Sequence, residues 1–432
     1  MSDNMILICK PEQSGKTFVM LDLIKNQVDS ITKPHLNIVF CDNNLLLTLQ
    51  TSFRFNTKDV SPDDSSSESH VYDITQSDVS DVYDVSDVSD VSDLGETIEF
   101  SSHPRTPFND AESVIDALKR NKGSIKNILC CTNGQRVKDI VTIANSISRD
   151  YQINLWIDEA DKYIRPLSTH FYPLTNDIPT IKIYCITATP HELFKRFKKM
   201  HVHPLQSVVR PEYHGWNDNH IFHSEKREST SEFVEAILMK HRKKILPGSR
   251  WFVPADYEKS SHFEIASLCN RYNMAALIIN GDGFRFMMPD KTIKILKKNK
   301  SLQELFEEIY KDPSLDLDRY ALAITGNLCV GRGISFISEG FRFDYGILSS
   351  ISSPQSASQN AGRIKGNIKE FDNYEIPTIF TTKEFDIVAT QCEIQSRRVA
   401  KLANDLYEGG REPVITNEDF KGLVKRKGKV NQ

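Results

Sequence analysis

Two short strings hold residue types suited to phosphate chemistry. The first is Lys10-Pro11-Glu12-Gln13-Ser14-Gly15-Lys16-Thr17, between the apolar run Met5 to Cys9 and a helical pattern with Phe18, Leu21, Leu23 and Ile24. A strand–loop–helix order puts backbone N–H groups at a helix start, where they attract phosphate oxygens. There Gly15 permits close backbone approach, Lys16 neutralises phosphate charge and the Thr17 hydroxyl can ligate Mg2+. An ordinary turn with a capping threonine is the plainer alternative. The second string is Asp158-Glu159-Ala160-Asp161, after the apolar run Asn154-Leu155-Trp156-Ile157. A carboxylate directly after a buried strand can hold Mg2+ through water, and the adjacent Glu159 can orient and deprotonate the attacking water. The alternative is a surface acidic pair such as Glu307-Glu308, which lacks the preceding strand.

Both strings need a sheet to hold them. Strand patterns at Leu36–Cys41, Ile125–Cys131, Asn154–Ile157 and Ile181–Ile186 alternate with helical patterns at Ala111–Arg120 and Arg136–Ser148. Such alternation predicts a parallel sheet covered by helices, with ligands at the C-terminal strand ends. A second α/β unit follows the irregular stretch Pro204–Asn219. Its predicted strands are Arg250–Val253, Ala275–Ile279, Tyr320–Ile324, Tyr345–Leu348 and Pro377–Phe380. Its predicted helices are Ser231–His241, Lys259–Tyr272 and Leu302–Tyr310, with a long helix at Glu384–Leu406. The expected domains are 1–205, 218–383 and a C-terminal helix with basic tail over 384–432.

The overall charge of −4 hides a division. Between Lys58 and His103 stand thirteen Asp or Glu residues against one Lys, so the rest of the chain carries +8 once that −12 is set aside. The stretch Asp59–His103 contains a Ser/Tyr-Asp-Val repeat from Ser77 to Asp93, too charged to offset the entropy of ordering. It is expected to be a disordered acidic insertion, about 58–105, serving as linker, phosphorylation target or nucleic-acid mimic. A basic body suits a binder of phosphate backbones. The eight cysteines show no C-x-x-C spacing, which argues against zinc and for buried thiols in an intracellular, reducing compartment. No run of about 18 apolar residues occurs and the first strand begins at once, so neither a membrane partner nor a signal peptide is expected.

In order along the chain, five motifs resemble those of superfamily 2 helicases and translocases. Lys10–Thr17 is similar to motif I and Ile157–Asp161 to motif II. Thr187-Ala188-Thr189-Pro190 resembles the T-A-T form of motif III. Val330-Gly331-Arg332-Gly333-Ile334-Ser335 resembles motif V, and Gln359-Asn360-Ala361-Gly362-Arg363 resembles the Q-x-x-G-R of motif VI. The resemblance implies two tandem RecA-like domains, with ATP and Mg2+ bound between them. Gln13, Ser14, Gly15, Lys16, Thr17 and Gly333 would bind the nucleotide, and Thr17 and Asp158 the metal. Lys16, Glu159, Gln359 and Arg363 would be catalytic. Thr187, Thr189, Thr132, Arg136 and Arg332 would couple to or contact nucleic acid, with Asp42–Gln50 standing at the place of motif Ia. The T-A-T-P form is nearer to DNA translocases and restriction-type helicases, which favours DNA over RNA. The string Gly362-Arg363-Ile364-Lys365-Gly366-Asn367 resembles helicase-like proteins of large DNA viruses.

The departures matter. Gly366 stands where motif VI places a second arginine, so Arg363 acts alone or Lys365 substitutes. Lys10 replaces the opening glycine of motif I and Ser335 the aspartate of motif V. A degenerate helicase-like binder without turnover is therefore the main alternative to an active ATPase. A small-molecule kinase is a third, which leaves motifs V and VI unexplained.

Overall fold

The computed structural model describes residues 4–27, 33–41, 94–101, 107–296, 306, 309–313, 315–327, 341–371 and 374–425. Motif V with Arg332 and Gly333, the motif Ia segment, most of the acidic segment and the end of the basic tail lie outside these residues. The chain divides into two compact units. The first comprises Met1–Cys9, Gly15–Pro204 and Leu402–Gln432; the second comprises Lys10–Ser14 and Leu205–Lys401.

In the first unit the strands are β1 (Met5–Cys9), β2 (His35–Cys41), β3 (Glu96–Phe100), β4 (Ile125–Cys131), β5 (Gln152–Ile157), β6 (Lys182–Thr187) and β7 (Lys199–Val202). In the second they are β8 (Tyr213–His214), β9 (His220–His223), β10 (Arg250–Phe252), β11 (Met274–Asn280), β12 (Gly283–Met287), β13 (Ile293–Leu296), β14 (Ala321–Gly326), β15 (Tyr345–Leu348), β16 (Gly366–Asn367) and β17 (Thr378–Thr381). A final strand, β18 (Val414–Thr416), returns to the first sheet antiparallel to β7. The first sheet runs β18-β7-β1-β6-β5-β2-β4-β3 and is parallel from β7 to β3. The second runs β13-β12-β11-β14-β10-β15-β17-β9, with only the β11-β12-β13 edge antiparallel. β16 and β8 form a separate two-stranded ribbon.

Helix starts follow local capping chemistry. Ala111–Arg120 begins where Asp110 accepts from the Ser113 N–H at 2.7 Å, a bond that also holds its carboxyl below the usual carboxylate range. Asn133 caps Gly134–Ile147 through Arg136 N–H at 2.9 Å, and Ser229 caps Thr230–Lys240 through Glu232 N–H at 3.2 Å. Ser353 caps Pro354–Gly362, whose first-turn proline has no N–H to leave unpaired.

A polar line crosses the otherwise apolar middle of the first sheet. Asn37 of β2 stands in register with Asn127 of β4 and Asn154 of β5. The Asn37 carboxamide oxygen accepts from Trp156 Nε1 at 2.9 Å, and its amide donates to Asn127 at 3.3 Å. Each buried amide thus finds its partner on a neighbouring strand. In the second unit, Trp251, Val253, Ala321, Ala323, Ile347 and Phe380 pack against Phe233, Val234, Ile237 and Ile265 of the covering helices.

The sequence needs one correction at the end of the acidic segment. Glu96–Phe100 is a strand paired with β4 rather than part of a disordered insertion reaching 103. Ile98 and Phe100 are buried, two residues apart, so one face of a charged stretch is apolar. Short strands also occur at Tyr213–His214 within the connection expected to be irregular, and at Val414–Thr416 after the long helix Lys383–Glu408.

Candidate nucleotide site

Within the first unit, sheet order decides which expected residues meet. β1, β6 and β5 are consecutive, and Cys9 pairs in register with Thr187, Ile157 with Cys185. Gly15-Lys16-Thr17, Asp158-Glu159 and Thr187–Thr189 therefore leave the same, C-terminal edge of the sheet. Helix Lys16–Lys25 starts at Gly15, whose φ of 87° lies in the left-handed region open to glycine, and no side chain caps that start. Gln13 also has a positive φ, 57°, while the Ser14 hydroxyl donates to the Pro11 carbonyl at 2.7 Å. Lys16 is largely buried and Thr17 half-buried. An uncapped helix start beside a lysine and a hydroxyl fits a phosphate chain.

The acidic string is held from behind. Asp161, absent from the expected site residues although its letter closes the D-E-A-D string, is buried. It receives the Thr187 hydroxyl at 2.6 Å on one carboxylate oxygen and the Thr189 hydroxyl at 2.7 Å on the other. Thr187 in turn accepts from the Thr189 N–H at 3.0 Å. Both expected coupling threonines are thus fastened to the acidic turn. Glu159 has φ 51° and ψ 44°, a conformation that costs a non-glycine residue about 1 kcal/mol or more and gathers at functional sites. Its N–H donates to Asp158 Oδ1 at 2.9 Å, and both side chains stay half-buried. Two half-open carboxyls at a strand end are the hard oxygen donors that Mg2+ prefers.

Two residues expected at a nucleic-acid groove turn inward instead. The Thr132 hydroxyl donates to the Cys41 carbonyl at 2.8 Å and ties the end of β4 to β2. Arg136 is buried, its guanidinium 4.3 Å from the Phe100 ring centroid and 2.9 Å from Asp139. That guanidinium is engaged by the Phe100 ring and the Asp139 carboxylate.

In the second unit, Gln359 and Arg363 stand one helical turn apart at the end of Pro354–Gly362, both about 4% exposed. Lys365, the suggested substitute for a second arginine, is fully buried with its Nζ 3.0 Å from Glu393. It is an internal cation, not one offered to a ligand. Glu393 and Tyr213, also near this helix end, carried no signal in the sequence.

No protein-family model matches the chain, and no curated protein matches its sequence. Among solved structures it is similar to the ATP-dependent Type ISP restriction-modification enzyme LlaBIII bound to DNA, with TM-score 0.52 and 10% identity, over 99% of this chain and 32% of that one. It is also similar to the DEAD-box helicase Mss116 bound to ssRNA and UDP-BeF (TM-score 0.44, 13% identity, 94% of this chain and 78% of that one). S. cerevisiae Dbp5 bound to RNA and ADP BeF3 is similar at TM-score 0.46 and 12% identity, over 98% of this chain and 89% of that one. Two mostly parallel sheets in tandem, with the LlaBIII match across nearly every residue, give the chain a fold of two tandem RecA-like domains.

Proposed function

We propose that the protein is a nucleic-acid-dependent ATPase that couples Mg-ATP hydrolysis to translocation on, or unwinding or remodelling of, DNA or RNA. The observation that carries this reading is the two-threonine clamp on Asp161, directly behind Asp158 and Glu159. A carboxylate fixed at both oxygens holds the turn that presents the metal ligand and the general base in one orientation. Gly15, Lys16 and Thr17 would bind the phosphates, and Asp158 with Thr17 would hold Mg2+. The ion would neutralise charge on the phosphate oxygens. Glu159 would orient the attacking water and accept its proton, while Gln359 and Arg363 would stabilise charge gathering on the transferred phosphoryl group. Domains at 1–205 and 218–383 remain the proposed functional division. The T-A-T-P form of Thr187–Pro190 leans towards DNA as the track.

The test is ATP hydrolysis measured with single-stranded and duplex DNA and RNA in parallel, for wild type and Glu159→Gln. Stimulation by DNA and a loss of about 100-fold or more in kcat for the variant are expected. Hydrolysis unaffected by Glu159→Gln removes the general-base assignment. The inward commitment of Lys365 favours a second reading, a binder without turnover, which predicts nucleotide and nucleic-acid binding with no hydrolysis above background.

A further inference from the structure

We infer that the buried Lys365–Glu393 ion pair is a positioning device for Arg363, so that the second domain delivers a single guanidinium held from beneath. This rests on the reading of Arg363 as a phosphate-contacting residue. The segment after Arg363 is pinned at every position. Ile364 is 1% exposed and fills the space over Gly346 of β15, where an added Cβ would lie 2.2 Å from its Cδ1. Lys365 has no exposure at all. Gly366, at φ 145°, pairs with His214 in the two-stranded ribbon.

Glu393 gathers three donors from three separate stretches of chain. Lys365 Nζ reaches Oε2 at 3.0 Å, Trp216 N–H reaches Oε2 at 3.0 Å, and Arg397 Nη2 reaches Oε1 at 2.6 Å. Burial alone would raise the Glu393 carboxyl, but Lys365 and Arg397 together outweigh it and hold it below the usual range. Gly215 leaves room for this junction, since a Cβ there would meet Glu393 Oε1 at 2.7 Å. Taking an ammonium fully out of water is expensive, and an apolar side chain of similar size fills such a space at equal or better stability. A charge at this position instead gives direction. It ties the two residues after Arg363 to one point on helix Lys383–Glu408, and through it to Trp216.

Three variants test this in the full chain. Lys365→Met/Glu393→Gln removes both charges and so avoids stranding one of them. It is expected to melt near wild type and to bind a non-hydrolysable ATP analogue with unchanged Kd, while kcat falls about tenfold or more. Glu393→Asp keeps the charge but shortens the arm by one methylene; it is the milder probe should the double variant fail to fold, with kcat about fivefold lower at unchanged Kd. Lys365→Arg keeps the cation and is expected to retain most of the activity. Wild-type kcat in the double variant or in Glu393→Asp overturns the inference. A wild-type protein with no ATPase activity would instead refute the proposed function. Positioning is then read from the Arg363 Nε–H resonance, expected sharp in wild type and broadened in Glu393→Asp; an unchanged resonance overturns it.

Discussion

At the scale of single residues, the clearest consequence concerns Asp161. Thr187→Val and Thr189→Val each remove one hydroxyl from a buried carboxylate, leaving an acceptor unsatisfied at a cost of about 1–3 kcal/mol. Both variants should fold, with chemical denaturation reporting the loss. ATP turnover should fall, with the basal rate and the nucleic-acid-stimulated rate lowered together. The strand-end positions of Gly15-Lys16-Thr17 and Asp158-Glu159 were legible because apolar runs stop just before them. Glu159's left-handed backbone was not legible, since no residue type announces it. The packing of Arg136 was hidden for a specific reason. Its stacking partner, Phe100, stood in a stretch whose acidic composition concealed a strand.

At the scale of elements, both sheets follow from apolar runs of four to seven residues, and Ile125–Cys131 and Tyr345–Leu348 match their strands end to end. The polar line through the first sheet was visible only as three separate asparagines. Registration turned them into a network. Asn37→Ala should destabilise the first unit by about 2–3 kcal/mol, because the Trp156 indole N–H and the Asn127 amide lose a shared partner. Asn37→Asp, by placing a carboxylate there, should be worse; thermal melts of both variants check the order. Gly346→Ala tests the packing beneath motif VI. The added methyl must displace Ile364, and overpacking of this kind costs about 1–3 kcal/mol. Equal melting temperatures for Gly346→Ala and wild type would show that the Ile364 tip yields freely. The short edges β3, β9, β13 and β18 escaped the sequence because three to five residues give too little periodicity.

At the scale of the whole molecule, the second unit should be acid-sensitive. His214 is buried, its Nδ1 2.6 Å from the Tyr374 hydroxyl and its Nε2 3.0 Å from Asn219 Oδ1. Burial lowers its pKa, as it does for His262 and His241. A depressed folded-state pKa means the unfolded chain binds the proton first. The stabilisation is therefore complete above about pH 6.5 and is lost as pH falls below it. Melting temperature should drop between pH 7 and pH 5, and His214→Gln should flatten part of that slope. Among the described residues no helix is long and apolar enough to cross a membrane, and none of the seven described cysteines is in a disulfide. Cys185 and Cys269, pushed by burial to about 12, stay protonated thiols throughout this range.

The return of β18 to β7 orders events during synthesis. One unit is nested in the sequence of the other, so a ribosome must release residue 416 before the first sheet can receive its outermost strand. Until then β7 offers an open row of N–H and C=O groups to any passing extended chain. A protein ended at Glu408 is expected to emerge with that seam unclosed and to self-associate, with the soluble fraction after expression as the measure.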